Sequence, residues 1–229
     1  PEFIFLRDLF GYRINTIFKF YYQAWLLLSV VAAYGSVILL RSLRSFWVPL
    51  FLVTLTIIFG MALFYPVISI KSKTENFQPQ QGRTLDGARF IERFSPDDVE
   101  AAAWLHGANF GVIVEAVGGS YSSAARISIY SGLPTVLGWD FHEVQWRGNN
   151  DKVIPRQNDI ATFYCTPHWE TASSILQKYN IRYVVIGSLE RNTYKAEKPG
   201  CPNGIQEGKI IENLPLVARF GQTAIYLHE

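Results

Sequence analysis

Two long apolar stretches dominate the pattern of hydrophobic and polar positions along this chain. The first covers residues 17–40 and the second covers residues 46–70, and only a short basic link separates them. A helix needs about 20 mostly apolar residues to cross the hydrocarbon core of a bilayer. The pattern therefore predicts two transmembrane helices that form a hairpin in a lipid bilayer.

Polar residues become frequent after residue 70, and residues 71–229 have the length of one domain with its own core. Short apolar runs alternate there with helical segments, which favours an extramembrane α/β domain with a mixed, largely parallel sheet. Strands are predicted at residues 111–117, 135–139, 181–187, 216–220 and 223–227. Helices are predicted after the cap residue Ser95, at residues 124–130 and at residues 167–179.

The segment before the first span mixes Phe, Ile and Leu with Arg7, Asp8 and Arg13. This mixture is typical of a helix or loop that lies in the membrane interface. The chain is therefore divided into three parts: an interfacial segment at residues 1–16, a transmembrane hairpin at residues 17–70 and an extracytoplasmic α/β domain at residues 71–229.

Arg41 and Arg44 set the predicted orientation of the hairpin. Both lie in the link between the spans, and basic residues in such a short loop favour the cytoplasmic side. The C-terminal domain of this multi-pass protein would then lie on the extracytoplasmic side of the cell membrane. Lys71 and Lys73 weaken the prediction because they follow the second span on the side assigned to the exterior.

Lys19 and Gln23 are polar residues inside the first span, and their i, i+4 spacing places them on one helix face. Lys19 lies near the end of the span, where its ammonium group can extend to the lipid headgroups. The alternative is a polar groove that holds an anionic, lipid-linked ligand. The sequence leaves both interpretations open.

The charge and the cysteines narrow the classes of function. A net charge of +2 without a cluster of Lys and Arg argues against nucleic acid as a partner. Cys165 and Cys201 both fall in the predicted outer domain, where an oxidising compartment would allow a disulfide between them. Two unpaired thiols are the alternative. Neither cysteine has a metal-like spacing to histidine, so no metal site is predicted.

The loop at residues 118–123, GGSYSS, follows a predicted strand and precedes a short helix. Its glycines permit close backbone approach, and N–H groups at a helix start can bind a phosphate, which makes Ser120 a candidate. The loop matches neither the P-loop nor the dinucleotide-binding fingerprint, so a plain tight turn is the alternative. Glu115, just before the loop, either points into a cleft or pairs with an arginine such as Arg126.

The densest group of chemically versatile side chains lies at residues 138–148. It contains Trp139, His142, Glu143, Trp146 and Arg147. Aromatic faces beside carboxylate, imidazole and guanidinium groups suit sugar rings and phosphates, and His142 and Glu143 can also transfer protons. The alternative is a packed loop whose tryptophans anchor it to the domain or to lipid headgroups. The sequence contains no HExxH motif and no GxSxG motif.

Five phrases of the sequence resemble a known family. They are NTIFKFYYQAW at residues 15–25, EAVGGSYS at 115–122, RISIYSGLPTVLGW at 126–139, HEVQWRG at 142–148 and YVVIGSLER at 183–191. Together they resemble the C-terminal part of the "YYY" membrane protein family, which is similar to the GT-C superfamily of membrane glycosyltransferases. Enzymes of that superfamily move a sugar from a polyprenyl-phosphate carrier to an acceptor on the outer face of the membrane.

The resemblance implies an outer domain that shapes an acceptor site or a carrier-phosphate site. The substrate-binding candidates are Glu115, Ser120, Arg126, Trp139, His142, Glu143, Trp146 and Arg147, and the membrane-face candidates are Arg7, Asp8, Arg13, Lys19 and Gln23. GT-C enzymes carry acidic, often metal-binding catalytic residues after their first span, and that part of the molecule is absent here. A divalent metal would belong to a complete enzyme. No cofactor is predicted in this chain, and its catalytic residues stay unassigned.

Two hypotheses of function follow. The first is the C-terminal portion of a GT-C-like glycosyltransferase that uses a polyprenyl-phosphate-linked sugar. The second is a non-catalytic, membrane-anchored accessory subunit whose hairpin packs on the transmembrane helices of a larger complex. The chain begins with Pro1 rather than Met, and we expect it to be a fragment or a processed C-terminal part of a larger membrane protein.

Overall fold

The computed structural model describes residues 3–5, 13–78, 82, 84–197 and 200–229. The chain divides into two compact units, Pro1–Leu85 and Asp86–Glu229, which we call the N-terminal and the C-terminal unit. Two of the membrane-face candidates, Arg7 and Asp8, lie outside the described residues.

Two long helices form most of the N-terminal unit: α1 at Ile14–Ser42 and α2 at Val48–Lys73. They contain 29 and 26 residues, which at 1.5 Å per residue gives about 40 Å of helix, enough to cross a bilayer. The apolar part of each helix is unburied. The predicted pair of apolar helices is therefore confirmed, with ends that differ from the predicted ones by two or three residues.

The C-terminal unit contains one sheet of four strands within the described residues, in the order β1-β2-β4-β3. The strands are β1 at Val112–Val114, β2 at Ile181–Ile186, β3 at Leu216–Phe220 and β4 at Thr223–Leu227. β1 is parallel to β2, whereas β4 is antiparallel to both β2 and β3. This mixed sheet confirms the predicted α/β fold class.

Helices α3 to α10 complete the C-terminal unit. Their bounds are α3 Ala88–Phe94, α4 Pro96–His106, α5 Arg126–Ser131, α6 Asp140–Arg147, α7 Val153–Cys165, α8 Trp169–Lys178, α9 Ser188–Thr193 and α10 Gly208–Asn213. A short 3₁₀ helix at Glu75–Phe77 belongs to the N-terminal unit.

The sheet carries a hydrophobic core on each of its two faces. Val184 in β2 belongs to the core formed with α7, α8 and α10, whereas the next residue, Val185, belongs to the core formed with α4 and α5. Alternate residues of a strand point to opposite faces of a sheet. Because β2 is covered on both faces, its sequence is a nearly continuous apolar run.

The region around the predicted site differs from the sequence-based expectation in three places. The predicted strand at residues 111–117 ends at Val114, after which the Glu115 side chain enters a buried charge cluster and the N–H of Ala116 donates to Glu190. The segment at residues 135–139 forms two isolated parallel bridges, Ile113 with Thr135 and Gly118 with Trp139, rather than a strand. The cluster at residues 138–148 is largely helical, because α6 covers most of it.

Candidate functional site

A buried charge cluster lies beneath the candidate site, with Arg126 at its centre. Arg126 is the first residue of α5, and its Nε and Nη2 donate to the two carboxylate oxygens of Asp98 in α4. Its Nη1 and Nη2 donate to the two oxygens of Glu190 in α9, at 3.1 and 3.0 Å. A second donation from Nη1 reaches Glu115 at 3.5 Å. All five N–H donors of the guanidinium are therefore used within the protein.

Arg126 and Glu115 stay predictions as substrate-binding residues. Their side chains are 4% and 0% exposed, and their polar atoms are engaged with each other and with neighbouring residues. The alternative in which Glu115 pairs with Arg126 is the arrangement in the structure. Burial lowers the pKa of Arg126, but Glu190 and Asp98 raise it above its usual range, so the guanidinium stays charged.

Glu115 also occupies the N–H groups that were expected to bind an anion. Its carboxylate accepts from the backbone N–H of Ile127 at 3.0 Å and from that of Ser128 at 2.9 Å, both in the first turn of α5. The N–H groups of Ile127 and Ser128 at the start of α5 therefore already have an anionic partner within the protein. Burial raises the pKa of Glu115 to about 7, although the Arg126 charge and these two N–H groups act in the opposite direction.

The loop at residues 118–125 connects this cluster to the surface. Ser122 donates to the carbonyl of Gly119 at 2.6 Å and accepts from the N–H of Ala124 at 3.2 Å, which closes a tight turn. Tyr121 and Ala125 have φ angles of 59° and 60°, a left-handed conformation that is uncommon without glycine. The Oγ of Ser120 is buried and has no hydrogen-bond partner among the described residues. The turn leaves the Tyr121 ring 83% exposed.

Three rings meet where this loop contacts α6. The Tyr121 ring lies 5.5 Å from Trp139 and 4.9 Å from His142, and Trp139 and His142 are 5.3 Å apart between centroids. The indole N–H of Trp139 donates to the carbonyl of Ala124 at 2.8 Å, which fixes the orientation of the indole. Sequence reasoning did not single out Tyr121, because its contact depends on the left-handed turn. The available signal was its position among small residues directly after β1.

Helix α6 arranges the other site residues by their i, i+4 spacing. His142 and Trp146 follow each other on one face, and Trp146 is 88% exposed. Glu143 and Arg147 form a neighbouring ion pair at 2.8 Å, with side chains that are 29% and 42% exposed. The helix therefore presents aromatic and charged side chains together, as the sequence predicted for this cluster.

A cleft of about 510 Å³, which we call the aromatic cleft, contains four of the predicted site residues. Trp139, His142, Glu143 and Trp146 line it together with Ser128, Thr135 and apolar residues of α5. Its volume falls in the range of about 300–1,000 Å³ that is usual for small-molecule sites. Stacking surfaces beside a carboxylate and hydroxyl groups suit the binding of a polyhydroxylated ring.

A second cleft of about 450 Å³, which we call the serine cleft, adjoins the first. Its lining includes Ser95, Ser122, Ser123, Tyr130 and Trp139. Apart from Trp139, nothing in the sequence connects these residues, because they come from the junction of α3 and α4, the loop before α5, and α5. Both clefts lie entirely within the C-terminal unit.

Cys165 and Cys201 form a disulfide in the structure, with their Cα atoms 5.1 Å apart. The bond links the C-terminal end of α7 to the segment before α10. The residues around it belong to the core rather than to either cleft. Tyr164, next to Cys165, stacks on Tyr194, and the carbonyl oxygen of Tyr194 lies 3.4 Å from the sulfur of Cys201. The disulfide therefore belongs to the core and lies away from the candidate site.

The membrane-face candidates that the structure describes lie at the start of α1. Arg13 directly precedes the helix, and Lys19 and Gln23 are exposed on it. An aromatic row accompanies them, in which Phe18 and Tyr22 are 4.8 Å apart and Tyr22 and Trp25 are 6.2 Å apart. Rings of this kind prefer the headgroup level of a bilayer. Both interpretations of Lys19 and Gln23 stay predictions.

Within the described part of the chain, no group of three or more His, Cys, Asp or Glu side chains could hold a metal ion. The carboxylates that do approach one another, those of Asp98, Glu115 and Glu190, are joined by Arg126 instead.

Comparisons with known proteins give one family match and several similar structures. Residues 1–28 match a family described as an uncharacterized membrane protein, DUF2298. No curated protein matches the chain. One similar structure is the C-terminal globular domain of an oligosaccharyltransferase from Archaeoglobus fulgidus, with 17% identity, coverage of 57% of this chain and 95% of that chain, and a TM-score of 0.36.

A second structure of the C-terminal globular domain of oligosaccharyltransferase from Archaeoglobus fulgidus has 17% identity, covers 64% of this chain and 98% of that chain, and gives a TM-score of 0.31. TM-scores this low do not show that this chain and those domains share a fold. The family match and the two apolar helices together indicate a membrane protein that lies in a lipid bilayer.

Proposed function

We propose that this chain is the C-terminal portion of a GT-C-like membrane glycosyltransferase that uses a sugar linked to polyprenyl phosphate. The aromatic cleft would bind a sugar ring of the acceptor or of the donor. Helices α1 and α2 would belong to a larger membrane body, and the C-terminal unit would lie on the extracytoplasmic side. The sequence phrases that resemble the "YYY" family support this proposal, together with the chemistry of the cleft.

The arrangement of rings and polar groups in the aromatic cleft is the observation that carries the proposal. Trp139 is held by its indole N–H, and His142 contacts its ring at 5.3 Å. The apolar face of a sugar ring stacks on such aromatic faces, while its hydroxyl groups donate to a carboxylate. Glu143 lines the same cleft and supplies that carboxylate. His142 and Glu143 would then be the groups placed to exchange a proton with a bound hydroxyl.

The N-terminal unit supports the lipid-linked part of the proposal. Lys19 offers an ammonium group and Gln23 an amide four residues further along α1, in a helix that is otherwise apolar. Polar groups inside a span are costly unless they serve a partner or reach the headgroups. The phosphate of a polyprenyl carrier would be such a partner, and it would also be held at the membrane surface by its own lipid chain.

The decisive experiment measures sugar transfer by the natural full-length protein in membranes. Labelled sugar on polyprenyl phosphate is the donor, and the triple variant His142→Ala, Glu143→Ala, Arg147→Ala is compared with the wild type. We expect transfer to fall at least about 100-fold, the usual contribution of a positioned acid or base.

A matched control removes an imidazole, a carboxylate and an amine elsewhere in the same unit. His168→Ala, Glu170→Ala and Lys178→Ala change exposed residues of or beside α8, away from both clefts. This control should retain transfer. An unchanged rate in the first triple variant would show that the α6 residues have no part in the reaction.

The second candidate function is a non-catalytic accessory subunit, and the unburied apolar surfaces of α1 and α2 favour it. Such a chain would pack its hairpin on the helices of partner subunits. Purification in a mild detergent followed by mass spectrometry separates the candidates. Recovery within one long polytopic polypeptide would exclude the subunit, whereas stable association with unrelated membrane subunits would exclude the enzyme.

A further inference from the structure

The two clefts of the C-terminal unit share a wall. Trp139 and Ile129 line both the aromatic cleft of about 510 Å³ and the serine cleft of about 450 Å³. The indole of Trp139 is fixed by its hydrogen bond to Ala124, so this wall is a rigid part of the site. A ligand that fills the aromatic cleft and extends past Trp139 enters the serine cleft directly.

The two clefts offer the same kind of chemistry to a ligand. Rings and hydroxyl groups line the serine cleft, with Trp139 and Phe94 beside Ser95, Ser123 and Tyr130. Rings and hydroxyl groups also line the aromatic cleft, where Trp139 and Trp146 stand beside Ser128 and Thr135. A chain of similar, polyhydroxylated units therefore finds equivalent partners on both sides of the shared wall.

The charges of the lining residues exclude an acidic ligand. The serine cleft includes Arg126, but all five N–H donors of its guanidinium donate to Asp98, Glu115 and Glu190. The aromatic cleft includes Glu143, whose carboxylate is paired with the guanidinium of Arg147 at 2.8 Å and offers no positive charge to a phosphate or a uronate. Among the lining residues, all of which the structure describes, no lysine or arginine has a donor open to an anion.

We infer that the two clefts are consecutive subsites for a neutral oligosaccharide of at least two sugar units, which passes over Trp139. This inference rests on the proposed function and goes further, because it assigns the phosphate of a lipid carrier to a place outside both clefts. The ligand of the C-terminal unit is then the neutral glycan part of the acceptor or of a lipid-linked oligosaccharide.

The test measures binding of defined glycans to the full chain. The probes are neutral hexose and N-acetylhexosamine oligosaccharides of one to five units, together with counterparts that carry a phosphate or a uronate. The protein is kept in a polyoxyethylene detergent, because a maltoside headgroup is itself a neutral disaccharide and would compete. We expect two-unit glycans to bind at least about tenfold more tightly than one-unit glycans, and acidic counterparts to bind more weakly.

Variants separate the two subsites. Trp146 lines the aromatic cleft alone and Tyr130 lines the serine cleft alone. Trp146→Ala should weaken binding of glycans of every length, whereas Tyr130→Ala should remove only the gain from the second unit. Phe110→Ala is the control, because Phe110 is an aromatic residue of the same unit that is 76% exposed and lines neither cleft.

The other possible results contradict either the inference or the saccharide site on which it rests. Equal affinity for one-unit and two-unit glycans, or a preference for the acidic counterparts, would overturn the inference. The proposed function would survive that result if Trp146→Ala still abolished binding. If none of these glycans binds, both the inference and the saccharide site on which it rests are overturned.

Discussion

Replacing Arg126 by methionine tests the role of the buried charge cluster directly. The side chain of Arg126 is 4% exposed, and those of Asp98, Glu115 and Glu190 are 7%, 0% and 0% exposed. The variant leaves three carboxylates in the core without their shared cation. Removing one partner of a buried ion pair costs about 3–5 kcal/mol, because the remaining charge is uncompensated. Because the free energy of unfolding of a domain is usually only about 5–15 kcal/mol, this cost is a large share of its stability.

The assay is thermal unfolding of the full chain in detergent, followed by tryptophan fluorescence. Trp104, Trp139, Trp146 and Trp169 report on the C-terminal unit. A loss of 3–5 kcal/mol corresponds to a fall of roughly 10–20 °C in Tm for a unit of this size. Arg147→Met is the matched control, because its partner Glu143 is exposed at the surface and such a pair contributes about 0–1 kcal/mol.

The pH dependence of the stability provides a second test of the Arg126→Met variant. Without Arg126, its charge no longer opposes the effect of burial on Glu115, so the pKa of Glu115 rises further above its value in the unfolded chain. Protons then bind more tightly to the folded variant, so its stability increases as the pH falls, and its deficit should be larger at pH 8 than at pH 5. A deficit no larger than that of Arg147→Met, or one that is independent of pH, would refute this account of the cluster.

Two further predictions concern Glu115 and the disulfide. Because burial raises the pKa of Glu115 from 4.5 to about 7, its contribution to stability is fully present below pH 4.5 and is lost as the pH rises through 7. The loss is at most about 3 kcal/mol. Denaturant titrations across this pH range should show the change in the free energy of unfolding. Glu115→Gln should flatten the pH dependence, whereas the exposed Glu212→Gln should not. Breaking the Cys165–Cys201 bond, which joins residues 36 apart, should cost about 3–4 kcal/mol. Cys201→Ala and reductant treatment of the wild type should lower the denaturation midpoint equally, and a fully reduced wild type with an unchanged midpoint would contradict this.

The features that the sequence predicts well are those that depend on residues close in the chain. α1 and α2 follow from apolar length alone, which no tertiary contact alters. β2 follows from an apolar run that is buried on both faces of the sheet. The β3–β4 hairpin follows from two strand-like runs around Gly221, which has a positive φ of 49°. Trp139, His142 and Trp146 fall in one short window, so their proximity was also predictable.

The features that the sequence could not predict depend on distant residues. Arg126 meets Asp98 and Glu190, which are 28 and 64 residues away, and of its partners only Glu115 was suggested by the sequence. No helix was predicted for residues 138–148, and α6 begins after Trp139, whose side chain makes no capping hydrogen bond. The serine cleft combines residues of α3 and α5 with Ser95 and the loop before α5, and only their packing brings them together.

Helix α5 connects the buried cluster to both clefts, and Arg126 of the cluster also lines the serine cleft. A helix of six residues has few internal hydrogen bonds, so its own backbone contributes little to its position. Its first turn is instead held by Glu115, which accepts from Ile127 and Ser128, and by Arg126. The same helix contributes Ser128 and Ile129 to the aromatic cleft and Tyr130 to the serine cleft. The shape of both clefts therefore depends on charges that are buried beneath them, and a change at Asp98 or Glu190 would alter ligand binding without removing any group that a ligand contacts.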